Sequence, residues 1–234
     1  MTMDSAIDSI FEHADRGLPC DVHLVNAYNF VLASAERQYA SALRGATLNL
    51  PDGRSLVVAA TLLRAGRLEQ VRGPSLFVKA LADSRSERYS HFFLGGAPVA
   101  LAALEERVKQ RFPRAVVAGS YSPPFAPIND EEVSRNAQIV KESGADIVWL
   151  GLGTPKQDYL ARKLSVAVSR PVVCVGAAFD FVGGVKREAP RFVQVVGAEW
   201  LFRLASEPRR LWRRYVLGNP RFIILVLKEM WSSR

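Results

Sequence analysis

The chain reads as an α/β protein with a mostly parallel sheet covered by helices on both faces. Two observations carry this expectation: strand-like and helix-like runs alternate along almost the whole length, and two apolar runs end abruptly in glycine. The two runs lie about thirty residues apart. The first, ADIVWLGLGTPKQD from Ala145 to Asp158, holds a buried strand at Ile147 to Leu150. The second, VVCVGAAFDFVGG from Val172 to Gly184, holds another at Val172 to Val175.

The elements follow in order. Asp4 to Arg16 has helical spacing, with Ile7, Ile10 and Phe11 on one side and Gly17 as a stop. A strand is expected at Val22 to Val25, a helix from about Ala27 to Leu43, a strand at Thr47 to Leu50 and a helix from Ser55 to Ala65. Next come a short strand near Val71, a helix from Pro74 to Asp83, a strand at His91 to Leu94 and a helix from Pro98 to Phe112. A strand at Ala115 to Ala118 and a helix around Glu131 to Ser143 lead into the two glycine-ended segments. In such a sheet, ligands bind beyond the carboxyl ends of the strands. The unusual residues fall there: Asn26, Pro51-Asp52-Gly53, Arg72-Gly73, Gly95-Gly96 and GSYSPPF from Gly119 to Phe125.

Gly151 and Gly153, with Pro155 at a helix opening, predict an anion-binding corner. A tight strand-to-helix turn alone would also use the two glycines. Lys156 and Gln157 beside them favour a phosphate or diphosphate. The full GxGxxG fingerprint is absent, because Lys156 stands three residues after Gly153. Asp52 before Gly53 at a strand end reads first as turn chemistry or a helix cap; as a functional group it could take a proton from an attacking hydroxyl. Asp130, Glu131 and Glu132 after Asn129 read as a capped helix start. His13, His23 and His91 are scattered, no Cys or His pair has ligand spacing, and no DxD pair occurs, so no metal is expected. A leaving phosphate would then be neutralised by arginine, lysine and backbone amides.

Bulk composition bounds the class. Of the 234 residues, 49% are hydrophobic and 23% charged, which fits a globular domain with an appendage. No apolar stretch approaches the roughly 20 residues needed to span a bilayer, and the amino terminus does not read as a secretory signal. Cys20 and Cys174 are expected as buried thiols in a reducing, cytosolic compartment. The net charge of +8 is uneven: from Arg203 onward eight lysines or arginines face only Glu207 and Glu229, a local +6. This basic stretch flanks the apolar run Phe222 to Leu227, with Lys228 and Trp231 beyond. It suits a segment lying at an anionic membrane surface, or a solvated helix packed on the body.

Taken together and in order, Asn26, PDG at Pro51 to Gly53, Arg72-Gly73, FFLGG at Phe92 to Gly96, SPPF at Ser122 to Phe125, GLGTPKQD, GAAFDFVGG and the EWLFRL-EPRR stretch from Glu199 resemble the WecG/TagA/CpsF family of bacterial glycosyltransferases. The resemblance runs roughly from Asn26 to Arg214. It implies a Rossmann-like glycosyltransferase domain over residues 1–202 and a membrane-associating, basic and apolar helical appendage over 203–234. It further implies an inverting, metal-independent and cofactor-free transfer of a hexosyl or N-acetylhexosaminyl group. The donor would be a nucleotide diphosphate sugar, commonly a UDP-sugar. The acceptor would be a polyprenyl-diphosphate-linked saccharide in surface polysaccharide or teichoic-acid synthesis, at the cytoplasmic face of the plasma membrane.

Carried onto this chain, the resemblance makes Asp52 the catalytic base. It assigns donor binding to Asn26, Arg72, Gly95, Gly96, Gly151, Gly153, Pro155, Lys156, Gln157, Gly176 and Asp180, and the acceptor diphosphate to Arg203, Arg210 and Arg213. The family often has Thr two residues before the Asn; this chain has Leu24, which points to a different donor sugar. Two other classes remain at this stage. A dinucleotide- or S-adenosylmethionine-dependent enzyme would explain the glycines, but not Arg72, Gln157 or the tail. A nucleic-acid-binding module would explain the arginines, but not Phe222 to Leu227 or the nearly neutral body, so no nucleic-acid partner is expected. A homo-oligomer is left open.

Overall fold

A computed structural model describes residues 1–124 and 126–232. Its elements are α1 (Met3–Asp15), β1 (Cys20–Val25), α2 (Ala27–Ala35), α3 (Arg37–Arg44), β2 (Leu48–Pro51), α4 (Arg54–Leu62), α5 (Gly73–Ala82), β3 (Ser90–Leu94), α6 (Pro98–Arg111), β4 (Val116–Tyr121), α7 (Asp130–Ser143), β5 (Ile147–Leu150), α8 (Lys156–Val168), β6 (Pro171–Cys174), α9 (Ala178–Val182), α10 (Arg191–Val195), α11 (Glu199–Ser206), α12 (Pro208–Trp212) and α13 (Gly218–Ser232). A π-helical turn, Arg213–Leu217, joins the last two.

Six strands form one all-parallel sheet in the order β2-β1-β6-β5-β3-β4. Parallel strands need crossovers, and the intervening helices supply them on both faces. Strand alternation sorts the apolar residues accordingly. Ile147 and Trp149 of β5, Val173 of β6 and Phe93 of β3 meet Ile7, Phe77 and Leu104 on one face. Val148 and Leu150, Val172 and Leu94 meet Val133, Val140, Leu160 and Leu164 on the other. Trp149 is fully buried, and its indole Nε1 donates to His91 Nδ1 at 3.0 Å. Replacing such a residue by alanine costs about 3–5 kcal/mol.

Three local expectations change. The single helix from Ala27 to Leu43 is broken at Glu36, which takes extended angles (φ −122°, ψ 109°). The break turns α3 so that Tyr39 enters the core and its hydroxyl reaches Asp158 at 2.9 Å. The strand near Val71 does not form. Val71 is buried and makes one ladder-like bond, from its N–H to Pro51 O at 2.8 Å, before Gly73 opens α5. Finally β4 runs on through Gly119 to Tyr121, so the expected loop after it starts later. Phe125 of that loop lies outside the described residues.

The end of the chain is helical. A third cluster joins α13 to the body, with Phe222 and Val226 packed on Ala27, Val31 and Ala59. α11 runs without interruption across residue 203. Among the described residues no helix is long and apolar enough to cross a membrane.

Candidate active site

At the carboxyl ends of β1, β2, β5 and β6 lies a cleft of about 260 Å³, roofed by the arginine-bearing C-terminal helices. It centres on the junction of β1 and β6, the two strands farthest apart in the chain that pair in the sheet.

Asp52 follows β2, and its N–H bonds to Val25 O at 2.8 Å, carrying it level with the end of β1. Its Oδ1 accepts from the Gly73 amide at 3.0 Å. Gly73 suits that spot: a Cβ would stand 2.8 Å from Leu24 Cδ1 and 3.2 Å from Val175 O, so both would have to give way. Burial pushes the Asp52 carboxyl above its usual value, against the Gly73 hydrogen bond and the charges of Arg203, Arg72 and Arg214. A carboxylate so placed is a stronger base than a solvated one.

Asn26 caps α2, its Oδ1 accepting from Tyr28 N at 3.1 Å and from Arg214 Nη2 at 3.2 Å. Gly151, Gly153, Gln157, Gly176 and Asp180 also line the cleft, as does Leu24. The glycine amides, however, are already bonded within the protein: Gly151 N to Leu94 O at 2.8 Å, Gly176 N to Leu150 O at 3.4 Å, and Gly153 N to Gln157 Oε1 at 3.0 Å. Gly151 instead permits close packing, since a Cβ there would fall 2.5 Å from the Phe179 ring. The positive charge in the cleft therefore comes mainly from side chains. Gln157, with its Oε1 occupied, retains its Nε2 as a hydrogen-bond donor, and Asp180 is paired with Lys186 at 2.7 Å.

Arg203, Arg210 and Arg214 line the cleft from the C-terminal helices. The Nε atoms of Arg203 and Arg214 are buried without a hydrogen-bond partner, and among the described residues only Asn136 Oδ1 shares that condition. An unpartnered buried donor costs about 1–3 kcal/mol, more when charged, so two of them at one cleft mark a place for an anion. Arg214 also stacks on Tyr28 at 4.5 Å. Burial, with Arg203 nearby, pushes its pKa down.

Several expected residues stand elsewhere. Arg213 is exposed and lies over Trp212 at 5.4 Å; Arg214 occupies the cleft wall instead. The π-helical turn that begins at Arg213 accounts for this, because it shifts which side chain faces inward. Arg72 points away from the cleft wall into a bidentate pair with Glu199 (Nε 3.0 Å, Nη2 2.8 Å) and a contact with Glu188, tying α11 to the start of α5. Pro155 and Lys156 border a separate groove with Gln38, Tyr159 and Lys163. Gly95 packs on Gly151, and Gly96 O accepts from Ser122 Oγ at 2.7 Å, so this pair supports the turn from behind.

Among the described residues, one group could surround a cation: His23, Asp158 and Cys174, whose ligand atoms lie within 4.8 Å of one another. Both imidazole nitrogens already face carboxylates, Nδ1 to Asp158 at 3.0 Å and Nε2 to Asp21 at 3.1 Å. Burial pushes the Cys174 thiol up to about 11. The group is a hydrogen-bonded ion cluster in its own right. Cys20 and Cys174 are free thiols, both buried.

A buried carboxylate at a strand end, an arginine-walled cleft and an open parallel sheet fit an enzyme of group transfer. The comparisons agree. Residues 1–234 match the model of the Glycosyl transferase WecG/TagA/CpsF family. The chain is also 32% identical over 197 residues to the N-acetylglucosaminyldiphosphoundecaprenol N-acetyl-beta-D-mannosaminyltransferase of Bacillus spizizenii, covering 84% of this chain and 74% of that protein. The chain belongs to the WecG/TagA/CpsF glycosyltransferase family and is a glycosyltransferase of cell-envelope polysaccharide synthesis.

Proposed function

We propose that this enzyme transfers a sugar, with inversion and without a metal, from a UDP-sugar to a saccharide carried on polyprenyl diphosphate. The observation that carries the reading is the meeting in one cleft of the Asp52 carboxylate and two arginines whose buried Nε atoms lack partners. The relative's name supports a lipid-linked N-acetylglucosamine as acceptor.

The chemistry follows from those groups. Asp52 takes the proton of the acceptor hydroxyl as that oxygen attacks the anomeric carbon, and the bond from that carbon to the diphosphate breaks. A single displacement of this kind inverts the anomeric configuration. Negative charge grows on the leaving diphosphate, and Arg203 and Arg214 receive it in a site where burial strengthens each interaction. Gln157 Nε2 and Asn26 are placed to orient the donor. Leu24 offers an apolar surface in the same wall, which favours a sugar face without a hydroxyl at that point.

The acceptor's lipid gives the C-terminal helices their role. α13 turns Phe222 and Val226 inward and leaves Ile223, Ile224, Leu227 and Trp231 exposed beside Arg221 and Lys228. Trp212, Val216 and Leu217 are exposed next to Arg209 and Arg213. An apolar surface rimmed with cations suits the headgroup region of an anionic leaflet, at about 1 kcal/mol per basic residue near the surface. The same helices bring Arg203, Arg210 and Arg214 over the cleft, so membrane contact and site assembly share one segment.

Thermal denaturation with UDP, with and without EDTA, tests the donor site. A ligand that binds only the folded state raises its stability, by about 2.7 kcal/mol at a hundredfold excess over Kd. An EDTA-insensitive rise in Tm is expected. A rise that needs a divalent cation contradicts the reading.

A further inference from the structure

Behind the cleft lies a buried polar network that the transfer chemistry does not use. Alternation along CDVHLV turns Asp21 and His23 of β1 to the face covered by α8, where both are fully buried. His23 lies between two carboxylates, Asp21 on its own strand and Asp158 on the first turn of α8. Asp21 Oδ1 further accepts from Thr47 Oγ1 at 2.8 Å and Arg162 Nη1 at 3.1 Å. Asp158 Oδ2 accepts from the Tyr39 hydroxyl at 2.9 Å, and Asn29 Nδ2 donates to that hydroxyl at 2.7 Å.

Asn29 carries the chain of bonds to the cleft. Its Oδ1 accepts from the Asn26 amide at 3.1 Å, and its Nδ2 approaches Thr154 Oγ1 at 3.3 Å. Asn26 and Thr154 both line the cleft, beyond the carboxyl ends of β1 and β5. Cys174, on β6 beside His23, points its Sγ at Gln157 O at 3.7 Å. Side-chain bonds thus tie β1, α2, α3, β6 and the turn before α8 together, in addition to the backbone pairing of β1 with β6.

We propose that His23 is a positioning residue for donor binding: fixed between Asp21 and Asp158, it sets, through Tyr39 and Asn29, the spacing of the cleft walls that carry Asn26 and Thr154. The inference rests on the donor reading given above. Apolar side chains would fill such a space at least as stably, since buried ion pairs seldom out-stabilise well-packed hydrophobic residues. What the network adds is directional: each bond fixes an angle as well as a distance, and groups that hold a substrate must be held themselves. The charges balance within the cluster. Burial disfavours the imidazolium, but the hydrogen bonds that it donates to Asp158 and Asp21 outweigh that penalty and raise the His23 pKa. Arg162 offsets the second carboxylate, while Tyr39, Cys20 and Cys174 are each pushed upward by burial and stay neutral.

The test uses the full chain and two variants, His23→Gln and Tyr39→Phe, the second removing one hydroxyl with the ring retained. UDP affinity is measured by calorimetry well below Tm, and amide hydrogen exchange is followed in the ligand-free protein. The expected result is a UDP Kd raised about tenfold or more by His23→Gln and about threefold or more by Tyr39→Phe, since small misplacements at a binding site are costly. Exchange should quicken at Asn26 to Asn29 and at Gly153 to Gln157, while Trp149 in β5 stays protected. A lower Tm with unchanged Kd and unchanged local exchange overturns the proposal, as does stoichiometric metal held by His23, Asp158 and Cys174 in elemental analysis. If His23→Gln fails to fold, Tyr39→Phe decides. If the unaltered protein does not bind UDP, the donor reading fails, and the exchange measurement still decides whether the network sets the cleft.

Discussion

The Gly73 amide donates to Asp52 Oδ1 at 3.0 Å, while Asp52 Oδ2 makes no hydrogen bond within the described residues. One oxygen is anchored at the mouth of α5; the other is available to a substrate hydroxyl. Asp52→Asn keeps the size of the side chain and removes its basicity. Turnover should fall by roughly 10²-fold or more, with UDP affinity little changed. The pH dependence has a defined sign. Burial raises the carboxyl above 3.8, and only the ionised form accepts a proton, so kcat/KM should rise with pH along a limb displaced above that value. A limb at or below 3.8 would separate Asp52 from the proton transfer.

Arg214 and its neighbour Arg213 make a paired comparison. Arg214 lines the cleft with an unpartnered Nε and bonds Asn26 at 3.2 Å, whereas Arg213 is exposed over Trp212. A hydrogen bond to a charged group is worth about 1.5–3 kcal/mol, so Arg214→Ala should lower kcat/KM at least about tenfold in detergent-solubilised transfer assays. Arg213→Ala should change it by less than about threefold. Equal losses would remove the distinction drawn from the helical turn.

The two buried histidines should bend the stability curve in opposite directions. His91 accepts from Trp149 Nε1 and faces Ser86 Oγ at 3.1 Å, and burial lowers it from 6.5 to about 4. Its contribution is present above pH 6.5 and is lost as pH falls toward 4. His23, raised above 6.5 by its bonds to Asp158 and Asp21, contributes fully below pH 6.5, and that contribution is lost as pH rises through its folded-state value. Denaturant unfolding across pH should show His91→Phe flattening the acid side and His23→Gln flattening the alkaline side. Imidazole NMR should find His23 doubly protonated at pH 8; a neutral ring there would contradict this assignment.

Membrane contact can be separated from folding because α13 has two faces. Leu227→Glu with Trp231→Glu alters only the outward one, as Phe222 and Val226 hold the packing on α2 and α4. Binding to anionic vesicles should drop sharply, and UDP affinity should hold. Undiminished vesicle binding would leave α13 as a packing element only.

The parts of this protein fixed by short-range pattern were legible in its sequence. The alternation of runs located the six strands, and their carboxyl ends brought Asn26, Asp52, Gly151, Gly153, Gln157, Gly176 and Asp180 to one cleft. What escaped depends on long-range partners or on small changes in helical phase. The bidentate pairing of Arg72 with Glu199, 127 residues away, could not be read from local sequence. Arg213 and Arg214 cannot be distinguished without the π-helical turn that rotates them. CDVHLV has the pattern of a half-exposed strand, and Asp21 and His23 become core residues only because α8 covers that face and supplies Asp158. A histidine two residues after an aspartate on one strand, with no visible metal partner, was the available signal.

The most direct measurement is transfer of labelled sugar from a UDP-sugar to the lipid-linked acceptor by the purified enzyme in EDTA, with the anomeric configuration of the product assigned by NMR. A labelled lipid product with inverted configuration is expected, EDTA-insensitive and lost in Asp52→Asn. Retention of configuration, or transfer that stops until a divalent cation is restored, would contradict the proposed mechanism.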